Sequence, residues 1–198
     1  MRTLRFFSIF IALVLASCGY KLQRSYSPLL DQEGIEKIFI EPIQNDTFNP
    51  GVETTVYNAL IKAISKKQRV KIVRSAHSAD AIVSGKVIVA DYNTSVLTNA
   101  NNIESANTPP DDTLVTSIYT MKLSCEFELQ KVIHENPDHL EKMWKSTFTR
   151  QKQFPSSVLL GVQGTSSALI NESEADRALF DLATNMMDDV HESMLAMF

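Results

Sequence analysis

The residues best suited to covalent chemistry stand near the start of the chain. Cys18 follows Leu15-Ala16-Ser17, and the small Ala16 and Ser17 fit a signal peptidase that cuts immediately before a modified cysteine. Upstream, Arg2 and Arg5 precede an apolar run at residues 6–15, the charged and hydrophobic parts of an export leader. That run of ten residues falls well short of the ~20 needed to cross a bilayer as a helix. The chemistry expected is alkylation of the Cys18 thiol by diacylglycerol, cleavage of the Ser17–Cys18 bond and acylation of the freed amine. A covalent lipid on Cys18 is thus the one prosthetic addition the sequence calls for, with no metal and no other cofactor. Several acyl chains make attachment stable, whereas one chain binds only marginally. Gly19, rather than Asp, follows the cysteine, so the expectation is sorting to the cell outer membrane, with the folded part on its periplasmic side.

Catalysis finds little support elsewhere. Cys125 sits in the middle of an alternating apolar pattern with no nucleophile signature beside it, and a free thiol in such a place packs as a small hydrophobe. His134, Glu135, Asp138 and His139 are metal-type ligands, but they straddle a turn at Asn136-Pro137-Asp138 and lack ligand spacing, which favours a solvated hairpin. Gly161-Val162-Gln163-Gly164 matches a nucleic-acid-clamping GxxG in letters only, without basic company. No phosphate-cradling loop and no Gly-x-Ser-x-Gly elbow occurs, and the chain reads as a non-enzyme.

Composition narrows the partners. The 198 residues include 19 basic and 23 acidic ones, and loss of Arg2 and Arg5 with the leader leaves 17 against 23. A net negative domain is a poor match for nucleic acid, which is held by concentrated Lys and Arg. Once Cys18 is lipidated only Cys125 remains, so no intramolecular disulfide can form. The expected organisation is a leader at 1–17, a lipidated tether at 18–34 containing Pro28 and Gly34, and a single domain at 35–198.

These chemistries must be positioned by elements that periodicity reveals. Residues 35–43 are rich in β-branched side chains and stop near Pro42, as an edge or first strand does. Asn, Asp, Thr, Pro and Gly at 45–51 mark a turn into a helix at 50–68, where Val52, Val56, Leu60 and Ala63 or Ile64 form a stripe. Short and long strands follow at 70–73 and 81–92, with Gly85 marking a bulge or a close backbone approach. Tyr119, Met121, Leu123, Cys125, Phe127 and Leu129 alternate with polar residues, the two-residue period of a half-buried strand. Residues 143–153 form another strand, with Trp144 and Phe148 on one face. After a loop at 155–171, Asn171 reads as the cap of a helix striped by Ala175, Leu179, Leu182, Met186, Val190 and Met194. Its methionines, Met186, Met187, Met194 and Met197, serve either the core or an adaptable contact. Residues 93–117 join the two longest strands and are polar, with Pro109-Pro110 and Asp111-Asp112; such a loop is either mobile or ordered by a partner. The fold class expected is α+β: a twisted mixed or antiparallel sheet of about four long strands, with two helices packed on one face.

Three short segments together carry a family resemblance: Cys18-Gly19-Tyr20-Lys21-Leu22, then Ile38-Phe39-Ile40-Glu41-Pro42 leading through Asn45-Asp46-Thr47 to Pro50-Gly51-Val52-Glu53, and Ala79-Asp80-Ala81-Ile82-Val83-Ser84-Gly85-Lys86-Val87. In order and type the chain resembles the LptE lipoproteins of lipopolysaccharide assembly. The resemblance implies a non-catalytic plug that sits in, and helps assemble, the outer-membrane β-barrel LptD and accompanies lipopolysaccharide to the surface. Between Val87 and Met121 the sequence has no Lys or Arg, a departure from the basic tip the family uses toward lipid A phosphates. Lys145, Arg150 and Lys152 are the better candidates for lipopolysaccharide contact, since paired cations suit phosphate; an ordinary solvent-facing strand is the plainer reading. A strand–helix–strand opening with an Ala-Asp-Ala-Ile strand also looks like TolB-type and CsgG-type modules, so an adaptor or secretion-assembly lipoprotein is the alternative.

Overall fold

The structure, a computed structural model, describes residues 33–99, 114–133, 140–157 and 166–196. Ser17 and Cys18, the leader, the 134–139 turn, the 161–164 segment and Met197 lie outside the described residues. Six strands and two long helices are present among them: β1 (Lys37–Ile40), β2 (Gln44–Asn45), α1 (Val52–Lys67), β3 (Lys71–Val73), β4 (Ala81–Asn99), β5 (Leu114–Val132), β6 (Leu140–Pro155) and α2 (Ser166–Ala196).

The sheet runs β3-β1-β4-β5-β6, with β2 paired to β4. β1 is parallel to both β3 and β4, so β1-α1-β3 is a crossover unit in which the helix must lie on one face of the sheet. The three long strands then follow as an antiparallel meander. The expected mixed α+β architecture is therefore present, built from three long strands and three short ones. β1 is the first strand in the chain but an interior one in the sheet; β3 and β6 form the edges.

Both helices contribute to one core. Val52, Val56, Leu60 and Ile64 of α1 are buried together with Ala175, Leu179, Leu182, Met186, Met187, Val190 and Met194 of α2. They meet Met121, Leu123, Cys125, Phe127 and Leu129 from the odd-numbered side of β5, and Trp144 and Phe154 from β6. The helical period and the strand period thus converge on one apolar layer. Burial favours core for Met186, Met187 and Met194: all three are at most 5 % exposed.

Two expectations need correction, and at Gly85 one of two alternatives holds. The polar connection assigned to residues 93–117 is shorter, because β4 continues to Asn99 and β5 starts at Leu114, with Thr98 paired to Val115. Thr94, Val96 and Thr98 are strong strand formers, and low hydrophobicity over the wider window conceals them. α2 starts at Ser166, not at Asn171; the Asn171 side chain instead accepts the Ser157 backbone N–H at 2.7 Å, holding the end of β6 to the helix. At Gly85 the sheet is regular, and the three pairing irregularities of the β4–β5 ladder fall at Val87/Val89, Thr94/Val96 and Val96/Leu97. Gly85 marks a close approach: a Cβ there would lie 2.6 Å from both Phe127 Cε1 and Ile43 Cδ1.

Candidate functional site

The sheet has one apolar and one wet face, and the wet face has an organised set of charges. Even-numbered residues of β5 point away from the helices, opposite the odd-numbered residues of β6. There the Lys145 ammonium lies 2.7 Å from Glu126 and 3.9 Å from Glu128, and Lys142 lies 3.0 Å from Glu128. Gln130 donates to Glu128 at 2.7 Å, and the hydroxyls of Ser124 and Thr149 are 2.9 Å apart. The Gln130 hydrogen bond, aided by Lys142 and Lys145, holds the Glu128 carboxyl below its ordinary range, while the Glu126 hydrogen bond raises the Lys145 ammonium above its own. Such a face keeps its polar groups paired where they meet solvent.

The three basic candidates do not form one cluster. Lys145 belongs to the wet face, whereas Arg150 and Lys152 lie on the side of the sheet that carries α2. Arg150 Nε donates to Asp189 Oδ2 at 2.8 Å, and Lys152 pairs with Asp181, both carboxylates belonging to α2. Between β6 and α2 these two cations border a cleft of about 510 Å³, lined also by Phe148, Leu182 and Asn185. A phosphate entering there meets two cations two residues apart and competes with two exposed carboxylates for them.

A second arrangement gathers around the turn between β2 and α1. The Asn45 side chain accepts from Thr47 N–H (2.9 Å) and Thr47 Oγ1 (2.7 Å) while donating to Asn49 O (2.9 Å) and Glu53 Oε2 (2.8 Å). Asn49 N–H donates to Thr47 Oγ1 and Gly51 N–H to Glu53 Oε2, with Gly51 in the left-handed region at φ 87°. This Asx-type knot secures the loop and leaves Phe48 entirely in solvent. Sequence reasoning recognised the turn residues but passed over Phe48, although a lone aromatic inside a run of turn formers was a visible signal.

Cys125 is fully buried, and burial pushes its thiol up to about 12. Burial of this kind disfavours the thiolate, and the side chain packs as part of the core. Among the described residues no helix is long and apolar enough to cross a membrane, and no three His, Cys, Asp or Glu side chains converge as metal ligands.

No curated protein sequence matches the chain. Among solved structures, the PelC dodecamer from Paraburkholderia phytofirmans is similar at 15 % identity and TM-score 0.42, over 79 % of this chain and 87 % of that one. Lipoprotein GNA1162 from Neisseria meningitidis is similar at 8 % identity and TM-score 0.40, over 72 % and 96 %. The uncharacterized lipoprotein B from Nitrosomonas europaea is similar at 15 % identity and TM-score 0.40, over 89 % and 88 %. The LptE family model, described as Lipopolysaccharide-assembly, matches residues 35–195, which takes in every element from β1 to the last turn of α2. The chain belongs to the LptE lipopolysaccharide-assembly family.

Proposed function

We propose that this protein is an outer-membrane lipoprotein that plugs an LptD-type β-barrel, helps it assemble and supports delivery of lipopolysaccharide to the cell surface. In this reading residues 1–17 are removed, Cys18 carries the lipid, residues 18–34 are the tether and residues 35–198 act as one domain on the periplasmic side. Family membership supports the pathway. The observation that carries the barrel partner is the two-faced sheet: β4, β5 and β6 are long strands whose helix-free face is a paired polar lattice around Lys145, Glu126 and Glu128. The lumen of a large barrel is polar and water-filled, which suits the charged centre of this face, while Leu97, Leu114 and Leu140 stay exposed toward its ends. A lipid tether adds high local concentration at the same membrane. The work is binding and positioning, with no catalytic step. Direct contact with lipopolysaccharide is proposed at Arg150 and Lys152, with Lys145 as a separate contact on the other face. The family match does not favour the adaptor alternative.

The test is affinity purification of the mature lipoprotein from detergent-solubilised outer membranes. A barrel of LptD type should co-purify in stoichiometric amount, and metabolic fatty-acid label should appear on the wild type but not on Cys18→Ala. Recovery of an unlabelled or solitary protein contradicts the reading.

A further inference from the structure

We propose that the cleft between the residue 46–50 loop, β4 and the first turns of α2 is a docking surface for a polypeptide segment. That segment presents an apolar side chain flanked by lysine or arginine. The proposal deepens the reading above and rests on it only in taking the barrel as the carrier of the segment.

The cleft measures about 860 Å³ and is lined by Phe48, Ile88, Tyr92, Met121, Ala168 and Ala175, among others. Phe48 is 107 % exposed, and Ile88 and Tyr92 are each 40 % exposed. Contiguous apolar surface of this kind with a polar rim marks an interaction site, whereas isolated exposed apolar residues do not. The rim is acidic. Asp46, Asp91, Glu172 and Asp176 line the same cleft, and no Lys or Arg does among the described residues. Asp46 is 3.4 Å from Lys86, while Asp91, Glu172 and Asp176 have no cation partner among the described residues. Four carboxylates repel phosphate groups and anionic lipid and attract ammonium or guanidinium groups, which selects a basic polypeptide. The anchor is already in place. The Asn45 knot and the Asp46 N–H bond to Val87 O (3.0 Å) fix the loop, so little ordering remains for binding to supply.

The test uses the full lipoprotein in its own host with the photo-crosslinker p-benzoylphenylalanine at position 48 or, for comparison, at the exposed Thr147 on the wet face. Irradiation should join position 48 to the barrel, with Lys or Arg within two residues of the attachment point. Asp91→Lys/Glu172→Lys/Asp176→Lys should cut that adduct about tenfold. Should the triple reversal lower the melting midpoint, Asp91→Asn/Glu172→Gln/Asp176→Asn replaces it, with a smaller loss in the same direction expected. A barrel adduct from position 147 but none from position 48 overturns the docking surface and leaves the barrel reading standing. No barrel adduct from either position overturns both. An adduct of twice the chain's mass, a phospholipid adduct, or an adduct indifferent to charge reversal also overturns it.

Discussion

Asp80 Oδ2 accepts the backbone N–H of Lys37 at 2.7 Å, so a carboxylate at the start of β4 satisfies the first donor of β1. The same oxygen takes the Glu36 N–H at 3.0 Å, Asp80 N–H donates to Lys37 O, and Val132 N–H donates to Asp80 O. One residue thereby ties together the beginnings of β1 and β4 and the end of β5. Charge-assisted bonds of this kind exceed neutral ones in strength, and removing the acceptor leaves two backbone donors to water alone. Asp80→Ala should lower unfolding free energy by about 2 kcal/mol, and Asp80→Asn by roughly half of that. Urea titration of the Cys18→Ala chain measures both; a loss under about 0.5 kcal/mol for Asp80→Ala would remove the knot from the account.

Gly85 is small because Phe127 and Ile43 occupy the space its side chain would take. Any Cβ there lies 2.6 Å from ring and methyl carbons of those two residues, and Phe127 is fully buried. Overpacking at this site should make Gly85→Ala destabilising by about 1–3 kcal/mol. Phe127→Leu is destabilising alone but should recover part of the Gly85→Ala loss when combined with it, giving a coupling energy that a double-mutant cycle reads. Additive single effects would show that the crowding relaxes elsewhere.

How far the sequence foretold this structure depends on which signal each residue carried. The alternation through Cys125 and the stripe through Met186 are periodic over long windows, and they located β5 and the buried face of α2. Pairing is not local: nothing in Ile38 or Ile72 announces that β1 takes parallel partners on both sides. Asn171 looked like a cap because caps are recognised by residue type, yet its side chain is used by Ser157, fourteen residues earlier. The site was half legible. Lys145, Arg150 and Lys152 were visible as cations, but their division between the two faces follows from strand alternation, and their carboxylate partners arrive from distant parts of the chain. Phe48 escapes a search for periodic patterns, since its meaning lies in exposure.

Cys125 should be inert while the protein is folded. Its side chain is inaccessible and its thiol is pushed up to about 12 by burial, against an ordinary value of 9.0. In the Cys18→Ala chain, a thiol reagent at pH 8 should modify nothing until denaturant is added, then label one thiol per chain at the rate of unfolding. Prompt labelling under native conditions contradicts the buried placement.

His191 should make stability depend on pH near neutrality. The imidazole is 1 % exposed, neither ring nitrogen has a hydrogen-bond partner among the described residues, and Glu192 Oε1 is 3.7 Å from Nδ1. Burial lowers its pKa, Glu192 opposes that, and Arg69 and Lys67 add to it. A base with a lowered folded pKa binds fewer protons folded than unfolded. Its stability contribution is complete above the ordinary value of 6.5 and declines as pH falls below it. Between pH 7.5 and 5.5 the wild type should lose on the order of 1 kcal/mol that His191→Leu does not lose. Parallel pH profiles for the two proteins would assign the dependence to other groups.

Arg150 and Lys152 separate a structural role from a lipid-binding one. Their partners Asp189 and Asp181 are exposed, and exposed ion pairs contribute about 0–1 kcal/mol. Arg150→Ala/Lys152→Ala should therefore leave the melting midpoint within a few degrees of wild type. If the two cations meet lipid A phosphates, the same double variant should weaken binding to immobilised lipopolysaccharide about tenfold or more, with a flatter salt dependence, because two charge-assisted contacts are lost. Asp181→Asn/Asp189→Asn should act in the opposite sense, since it frees the cations from competing carboxylates. Lys145→Ala, on the other face of the sheet and engaged by Glu126, reports whether that face contacts the lipid independently. Binding unchanged in all three variants would leave Arg150 and Lys152 as fasteners of α2 to β6 and nothing more.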